Sequence, residues 1–282
     1  MSFRVDRFAT LHFFHPLRRL GVGRAGIPIL MYHSISDSDD SSRHPYYRTV
    51  TSPGVFEQHL KFLRDNGYKS ISLSDAVSRL RAGAPDNERT VVITFDDGFR
   101  NFHSQAFPLL NKYGFSATMF LPTSYIDRDT RKFKGVDCLT WRQVRDLQKA
   151  GMHFGSHTVT HPQLKNVGPK ELETEIRCSK QTIEDELGRA VASFAYPYAF
   201  PETDSAFRQR LHGLLEKNGY ENGVSTIIGT ADDAGARFFL KRLPMNSFDD
   251  VPLFRAKLEG GYDWLHALQR GSKLLPTAPW RS

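Results

Sequence analysis

At 282 residues, with 39% hydrophobic and 12% aromatic side chains, the chain can bury a large core and is too apolar to be disordered. Lys and Arg outnumber Asp and Glu by 38 to 31, a formal charge of +7, but they are scattered and no nucleic-acid-binding motif accompanies them. Cys138 and Cys178, the two cysteines, have neither a disulfide framework nor metal-site spacing behind them.

The first 26 residues, MSFRVDRFATLHFFHPLRRLGVGRAG, are a basic, aromatic leader without the apolar run or cleavage site of a signal peptide. No segment reaches the length of a membrane span, so the expected compartment is the cytoplasm. Contact between the basic leader and an anionic membrane surface stays open. IPILMYHSI then reads as a short buried strand with a polar exit, followed by a turn-rich loop. SPGVFEQHLKFLRDNG carries Val55, Phe56, Leu60 and Leu63 at helical spacing and stops at Gly67. YKSISL predicts a strand, and SLSDAVSRLRAG a helix with Ser74 as its N-cap.

The alternation continues with strand TVVITF, helix RNFHSQAFPLLNKYG, strand SATMFL, helix TWRQVRDLQKAG and strand MHFGSHT. Helix PKELETEIRCSKQTIEDELG, strand VASFAYPYA and helix DSAFRQRLHGLLEKNG come next. Strands GVSTIIG and FFLKRLPMN lead to two short helices around FRAKLEGGYDWLHALQ. Seven or eight strands alternating with glycine-stopped helices predict an α/β fold of parallel βα units, an incomplete or distorted barrel. No GxGxxG follows the first strand, which argues against a dinucleotide fold. The expected organisation is a leader (1–26), one barrel domain (27–246) and a C-terminal helical extension packed on it (247–282).

In such barrels chemistry gathers at the C-terminal ends of the strands. The polar residues so placed are Tyr32 and His33, Asp96 and Asp97, His157, Tyr196 to Tyr198, and Arg242. In VVITFDDGFRNF two adjacent carboxylates end a buried strand, which is costly unless something uses or neutralises them. In FGSHTVTHPQL, His157 and His161 stand four apart, so that on a helical turn or a tight loop they can share one cation. Two imidazoles and one carboxylate leave coordination positions open, the pattern of a catalytic metal site.

TFDDG followed by SHTVTH resembles the first two motifs of the polysaccharide deacetylases, carbohydrate esterase family four, and FAYPYA resembles the third. The resemblance spans residues 27–246 and implies a distorted (β/α)7 barrel of the NodB type in a single domain. It also implies a metal-dependent hydrolase that removes N-acetyl groups from a glycan or glycan precursor. Position by position, Asp96 matches the general base, and Asp97, His157 and His161 match the metal ligands. The implied ion is zinc, with cobalt or nickel suiting the same ligands. The implied chemistry delivers water to the amide carbonyl and holds the oxyanion with the metal and a backbone N–H near Tyr198. Tyr196, Pro197, Tyr198 and Trp141 are expected to line the glycan groove.

Two motifs depart from the family pattern, and the third also has Ala199 where glycine is common. Its third motif usually carries an arginine that braces the catalytic aspartate, where this chain has Ala195. Arg242, ending a late strand, is the candidate replacement, against the alternative of a solvated surface arginine. The last motif normally supplies a general-acid histidine, and GVSTIIGTADD contains none. His33 is the candidate, because LMYHSIS resembles the branch acting on β-1,6-linked N-acetylglucosamine polymers, where an early-strand histidine does that work. A structural histidine inside the barrel is the alternative. The expected partner is an N-acetylated oligo- or polysaccharide of the exopolysaccharide or capsule type, free or lipid-linked. The same site also suits O-acetyl ester, formamide or cyclic amide hydrolysis, or a catalytically impaired glycan-binding relative.

Overall fold

The computed structural model describes residues 4–21, 26–38, 48–83 and 88–274. Seven strands form the barrel: β1 (Ile29–Tyr32), β2 (Thr90–Phe95), β3 (Thr118–Leu121), β4 (His153–Ser156), β5 (Ser193–Ala195), β6 (Asn222–Ile228) and β7 (Leu240–Pro244). All pairings within the barrel are parallel, and β1 closes the ring by pairing with both β2 and β7. The register slips between Val224 and Ile228 where β6 meets β7, which distorts the barrel. Parallel strands are covered on both sides and therefore read as continuous apolar runs, as in β2, where every residue is buried. The strand expected in YKSISL shrinks to Lys69–Ser70, which pairs with β2 outside the closed ring.

Side-chain alternation sorts the core into two layers. Tyr32, Val91, Ile93, Phe95 and Phe194 pack between barrel and outer helices, while Ile29, Val92, Phe120, Ala195, Val224 and Leu240 form a separate cluster inside. A Cβ at position 155 would come within 2.5 Å of the Phe120 ring, so β4 has room there for glycine alone. The helices follow the apolar spacing of the sequence and begin at Ser52, Thr140 and Asp204, whose side chains accept backbone N–H bonds. Helix Leu73–Ala82 is capped by Ser72 and not by Ser74, because Ser72 has the extended backbone and an acid, Asp75, three residues on to complete a capping box.

The leader, for which the sequence predicted no element, is helical over residues 5–19, with a π-helical turn at Thr10–Phe14. It packs on the C-terminal part of the chain, where the Trp264 indole donates to Thr10 Oγ1 at 3.0 Å. Helix Leu265–Leu274 is tied to β6, since Gln269 accepts from the Ile228 N–H (3.0 Å) and donates to the Thr226 carbonyl (2.8 Å). Among the described residues, no helix is long and apolar enough to cross a membrane.

A buried histidine outside the barrel makes stability depend on pH. His59 stacks on Phe254 at 4.0 Å, donates from Nε2 to the Asp249 carbonyl (2.6 Å), and accepts at Nδ1 from the Tyr32 hydroxyl (2.9 Å). The neutral ring thus satisfies both nitrogens, and burial pushes its pKa down from 6.5 to about 4 despite the neighbouring Asp249. A histidine whose folded pKa is depressed contributes full stability above its unfolded pKa and loses it as pH falls. Between pH 6.5 and 4 this group should cost roughly 3 kcal/mol of unfolding free energy. Urea titrations across that range should show the loss in the parent chain and a flatter dependence in His59→Gln.

Candidate metal centre and active site

Along β2 the inward positions run Val92, Thr94 and then Asp96, just past the strand. Asp96 is buried and forms a two-pronged ion pair with Arg242, Nη1 to Oδ1 at 2.7 Å and Nη2 to Oδ2 at 2.8 Å. Arg242 stands two residues beyond the inward Leu240 and is 0% exposed. Its remaining donors reach Thr94 Oγ1 (3.3 Å) and the Ser225 carbonyl (2.8 Å), which holds the fork in one orientation. Burial alone would raise the Asp96 pKa. The Arg242 charge, with His157 and His33 nearby, outweighs it and keeps the carboxyl below its ordinary range.

Alternation would send Asp97 to the outer layer. Instead its backbone adopts φ +74° and that of Gly98 φ +65°, and this left-handed turn brings the second carboxylate to the histidine loop. Asp97 Oδ1 lies 3.2 Å from His161 Nε2 and 3.6 Å from His157 Nε2. One ligand atom from each of the three residues falls within 4.8 Å of the others. His157 Nδ1 donates to the Ala195 carbonyl at 2.8 Å, so its Nε2 carries the lone pair that faces Asp97. Burial pushes the His161 pKa down to about 4, leaving the ring neutral as a ligand must be.

The pair His157 and His161 occupies a tight loop rather than a helical turn. His161 has φ +57° and its N–H bonds to Thr158 Oγ1 at 3.0 Å. Glu175 holds the rest of the loop, accepting from the backbone N–H groups of Val159 (2.7 Å) and Thr160 (2.9 Å) and from the Thr160 hydroxyl (2.7 Å). The sequence reading missed Glu175. Its signal is an acid on the buried face of helix Pro169–Leu187, beside Leu172, Ile176 and Ile183.

The donor set suits a divalent metal. Asp97 Oδ1 is buried and has no hydrogen-bond partner, although two imidazole nitrogens converge on it. One carboxylate oxygen and two neutral imidazoles are a zinc-type set. Over this centre lies the hairpin Lys132–Phe133 and Val136–Asp137. At its turn Lys134 Nζ is 3.2 Å from Asp97 Oδ2 and 5.5 Å from the centre of the Tyr198 ring. Asp97, Lys134, Thr158, His161 and Tyr198 are the non-glycine residues of positive φ among those described, and all five belong to this site. Each such residue costs about 1–3 kcal/mol and persists only where its surroundings hold it.

The other expected site residues divide. His33 follows the outward Tyr32 and so faces inward; its Nδ1 is buried without a partner, and burial lowers its pKa against the pull of Asp96 and Asp97. Tyr198 is 44% exposed, with its ring 4.7 Å from that of His161, and forms part of the open rim. Tyr196 is 2% exposed and packs on Phe200 (4.9 Å) and Phe207 (6.1 Å). It follows the inward Ala195 and therefore points outward into the helical layer, away from any groove. Trp141 is likewise buried in the core at the start of its helix, and Pro197 is buried beside the rim.

A profile of the family described as Polysaccharide deacetylase matches residues 83–221, which takes in Asp96, Asp97, His157 and His161 but neither His33 nor Arg242. YxkH of Bacillus subtilis (strain 168), named for the same family, is 31% identical over 235 residues, 83% of this chain and 77% of that protein. The poly-β-1,6-N-acetyl-D-glucosamine N-deacetylase of Escherichia coli (strain K12) is 30% identical over 142 residues, 47% of this chain and 20% of its own length. The structure of the Streptococcus pyogenes deacetylase PplD, in complex with acetate, superposes with a TM-score of 0.72 at 26% identity, covering 84% of this chain and 99% of that one. With the barrel, the acid pair and the histidine loop all falling within these matches, this chain belongs to the polysaccharide deacetylase family of amide-bond hydrolases.

Proposed function

We propose that the protein is a divalent-metal-dependent N-deacetylase of glycans containing N-acetylglucosamine, with zinc as the ion and β-1,6-linked chains as the preferred substrate. The observation that carries this reading is the convergence of Asp97, His157 and His161 beside a buried Asp96 kept ionised by Arg242. The name of the Escherichia coli relative supports the choice of glycan. Asp97, His157 and His161 would hold the ion, which when bound polarises the amide carbonyl and lowers the pKa of water.

This chain's own groups supply the proton transfers. Asp96, ionised against Arg242, takes a proton from the water that attacks the carbonyl carbon. The Tyr198 backbone N–H is assigned to the developing oxyanion. When the C–N bond breaks, the proton that Asp96 took from water passes to the nitrogen by way of His33, so that water and the acetamido group become acetate and a free amine.

Acetate release from N-acetylglucosamine oligomers of β-1,6 and β-1,4 linkage, with and without chelator, tests the proposal. The expected result is release from both, faster on the β-1,6 series, lost with chelator and restored by zinc. No release from either series by zinc-loaded protein would sink the reading, and a preference for β-1,4 chains would overturn its choice of linkage.

A further inference from the structure

The helical segment 5–19 is built inside out. A surface helix ordinarily buries its apolar stripe and turns its charges to water. Here Asp6, Thr10, His15 and Arg18 turn to the protein. Asp6 accepts from Arg4 Nε (3.1 Å) and from the Tyr262 hydroxyl (2.8 Å), and the buried Thr10 accepts from Trp264. His15 lies 2.6 Å from Glu259, and Arg18 reaches Asp263 at 2.6 Å and the Gly260 carbonyl at 3.1 Å. The outer face carries Val5, Phe8, Phe13 and Leu17, which are 64%, 44%, 56% and 50% exposed, and Leu20 just beyond is 80% exposed.

The π-turn is what aligns them. In an α-helix, residues five apart differ by roughly 140° around the axis. The wider turn at Thr10–Phe14 brings Phe13 beside Phe8 instead, with ring centres 6.0 Å apart. Val5 precedes Phe8 by three residues, Leu17 follows Phe13 by four and Leu20 follows Leu17 by three, so one ridge runs the length of the segment. Two further exposed apolar residues adjoin it. Phe248 offers its carbonyl to Arg4 (3.1 Å), and Leu268 lies one helical turn past Trp264, which stacks on Phe14 at 4.5 Å. Single exposed apolar side chains need no explanation, but a continuous ridge does.

The charge around the ridge points to its occupant. Residues 4–20 contain Arg4, Arg7, Arg18 and Arg19 with His12 and His15, against the single acid Asp6, which already serves Arg4 and Tyr262. Arg7 and Arg18 are matched by Asp250 and Asp263 on the barrel side. Arg19 is exposed next to Leu20, and Arg270 is exposed two residues past Leu268. Aromatic and aliphatic side chains on a convex ridge with a cationic margin are the composition of an interfacial helix on an anionic bilayer.

We infer that residues 5–20 are a docking ridge for an anionic phospholipid surface. Val5, Phe8, Phe13, Leu17 and Leu20 enter the boundary between headgroups and acyl chains, and Arg19 and Arg270 meet lipid phosphates. The polar face keeps the barrel attached to the docked helix. The inference is independent of the metal site and of the glycan.

The test is sedimentation of the full chain with vesicles of phosphatidylglycerol and phosphatidylcholine, and with phosphatidylcholine alone. The parent chain should bind the anionic vesicles at least about tenfold more strongly, and added salt should weaken the binding. Phe13→Ser with Leu17→Ser should reduce partitioning about tenfold or more, with unchanged melting and unchanged acetate release from soluble oligomers. Arg19→Glu should reduce binding to the anionic vesicles alone. Failure of the parent chain to sediment with anionic vesicles would overturn the inference, as would a serine double variant that binds as well as the parent. A concentration-dependent dimer that those serines dissolve, without vesicle binding, would assign the ridge to a second copy of the chain.

Discussion

Arg242→Met is expected to remove about 3–5 kcal/mol of unfolding free energy, because it breaks a fully buried ion pair from one side only. The two-pronged contact to Asp96, at 2.7 and 2.8 Å, is lost, and the carboxylate stays buried with nothing of opposite charge on the same fork. Burial is the largest influence on Asp96, and Arg242 is the first of the groups that oppose it. Once Arg242 is gone, burial prevails and the Asp96 pKa rises. The acid limb of the pH–rate profile should therefore move to higher pH, with activity at neutral pH falling along with it. Arg242→Lys keeps the charge but not the planar fork and should fall between the two. The pair can be separated from its parts by adding Asp96→Asn to Arg242→Met, which should recover part of the stability and none of the activity. Denaturation and pH–rate measurements together decide the matter. A destabilised Arg242→Met enzyme whose profile has not moved would leave Arg242 a structural residue.

The second large effect is expected from Asp96→Asn. The amide is close in shape to the carboxylate but cannot take a proton, so acetate release should fall by about 10²–10⁴-fold, the usual contribution of a positioned base. Arg242 then faces a neutral partner, and a lower melting temperature should accompany the loss. Metal content should not change, because Asp96 points to Arg242 while Asp97 alone of the pair faces His157 and His161. Retained activity in Asp96→Asn would move the base elsewhere, with His33 the next inward group to examine.

The barrel was legible because parallel strands buried on both sides leave apolar runs such as TVVITF, each followed by a helix with a glycine stop. The two motifs that carry Asp97, His157 and His161 were equally plain, since each lies within a few residues of one strand end. Tyr196 was misassigned to the groove for want of a count by twos: Ala195 faces in, so its neighbour faces out. The N-cap falls at Ser72 because Asp75, three residues on, completes the capping box, a signal that the choice of Ser74 left out. Residues 5–19 escaped notice because a π-turn breaks the α-helical period on which the reading depends. Arg242 and Asp96 are 146 residues apart, and closure of β7 onto β1 and β1 onto β2 is what brings them together. Lys134 reaches Asp97 from a two-stranded hairpin whose residues show no distinctive pattern.

The central claim is that two adjacent aspartates divide the work, Asp97 holding an ion with His157 and His161 while Asp96 remains free to move protons. Metal analysis of the purified parent chain and of the Asp96→Asn and Asp97→Ala variants, after equilibration with zinc and dialysis, tests it most directly. The parent and Asp96→Asn proteins should retain about one zinc per chain, and Asp97→Ala should retain little. Full zinc retention by Asp97→Ala, or its loss from Asp96→Asn, would contradict the division.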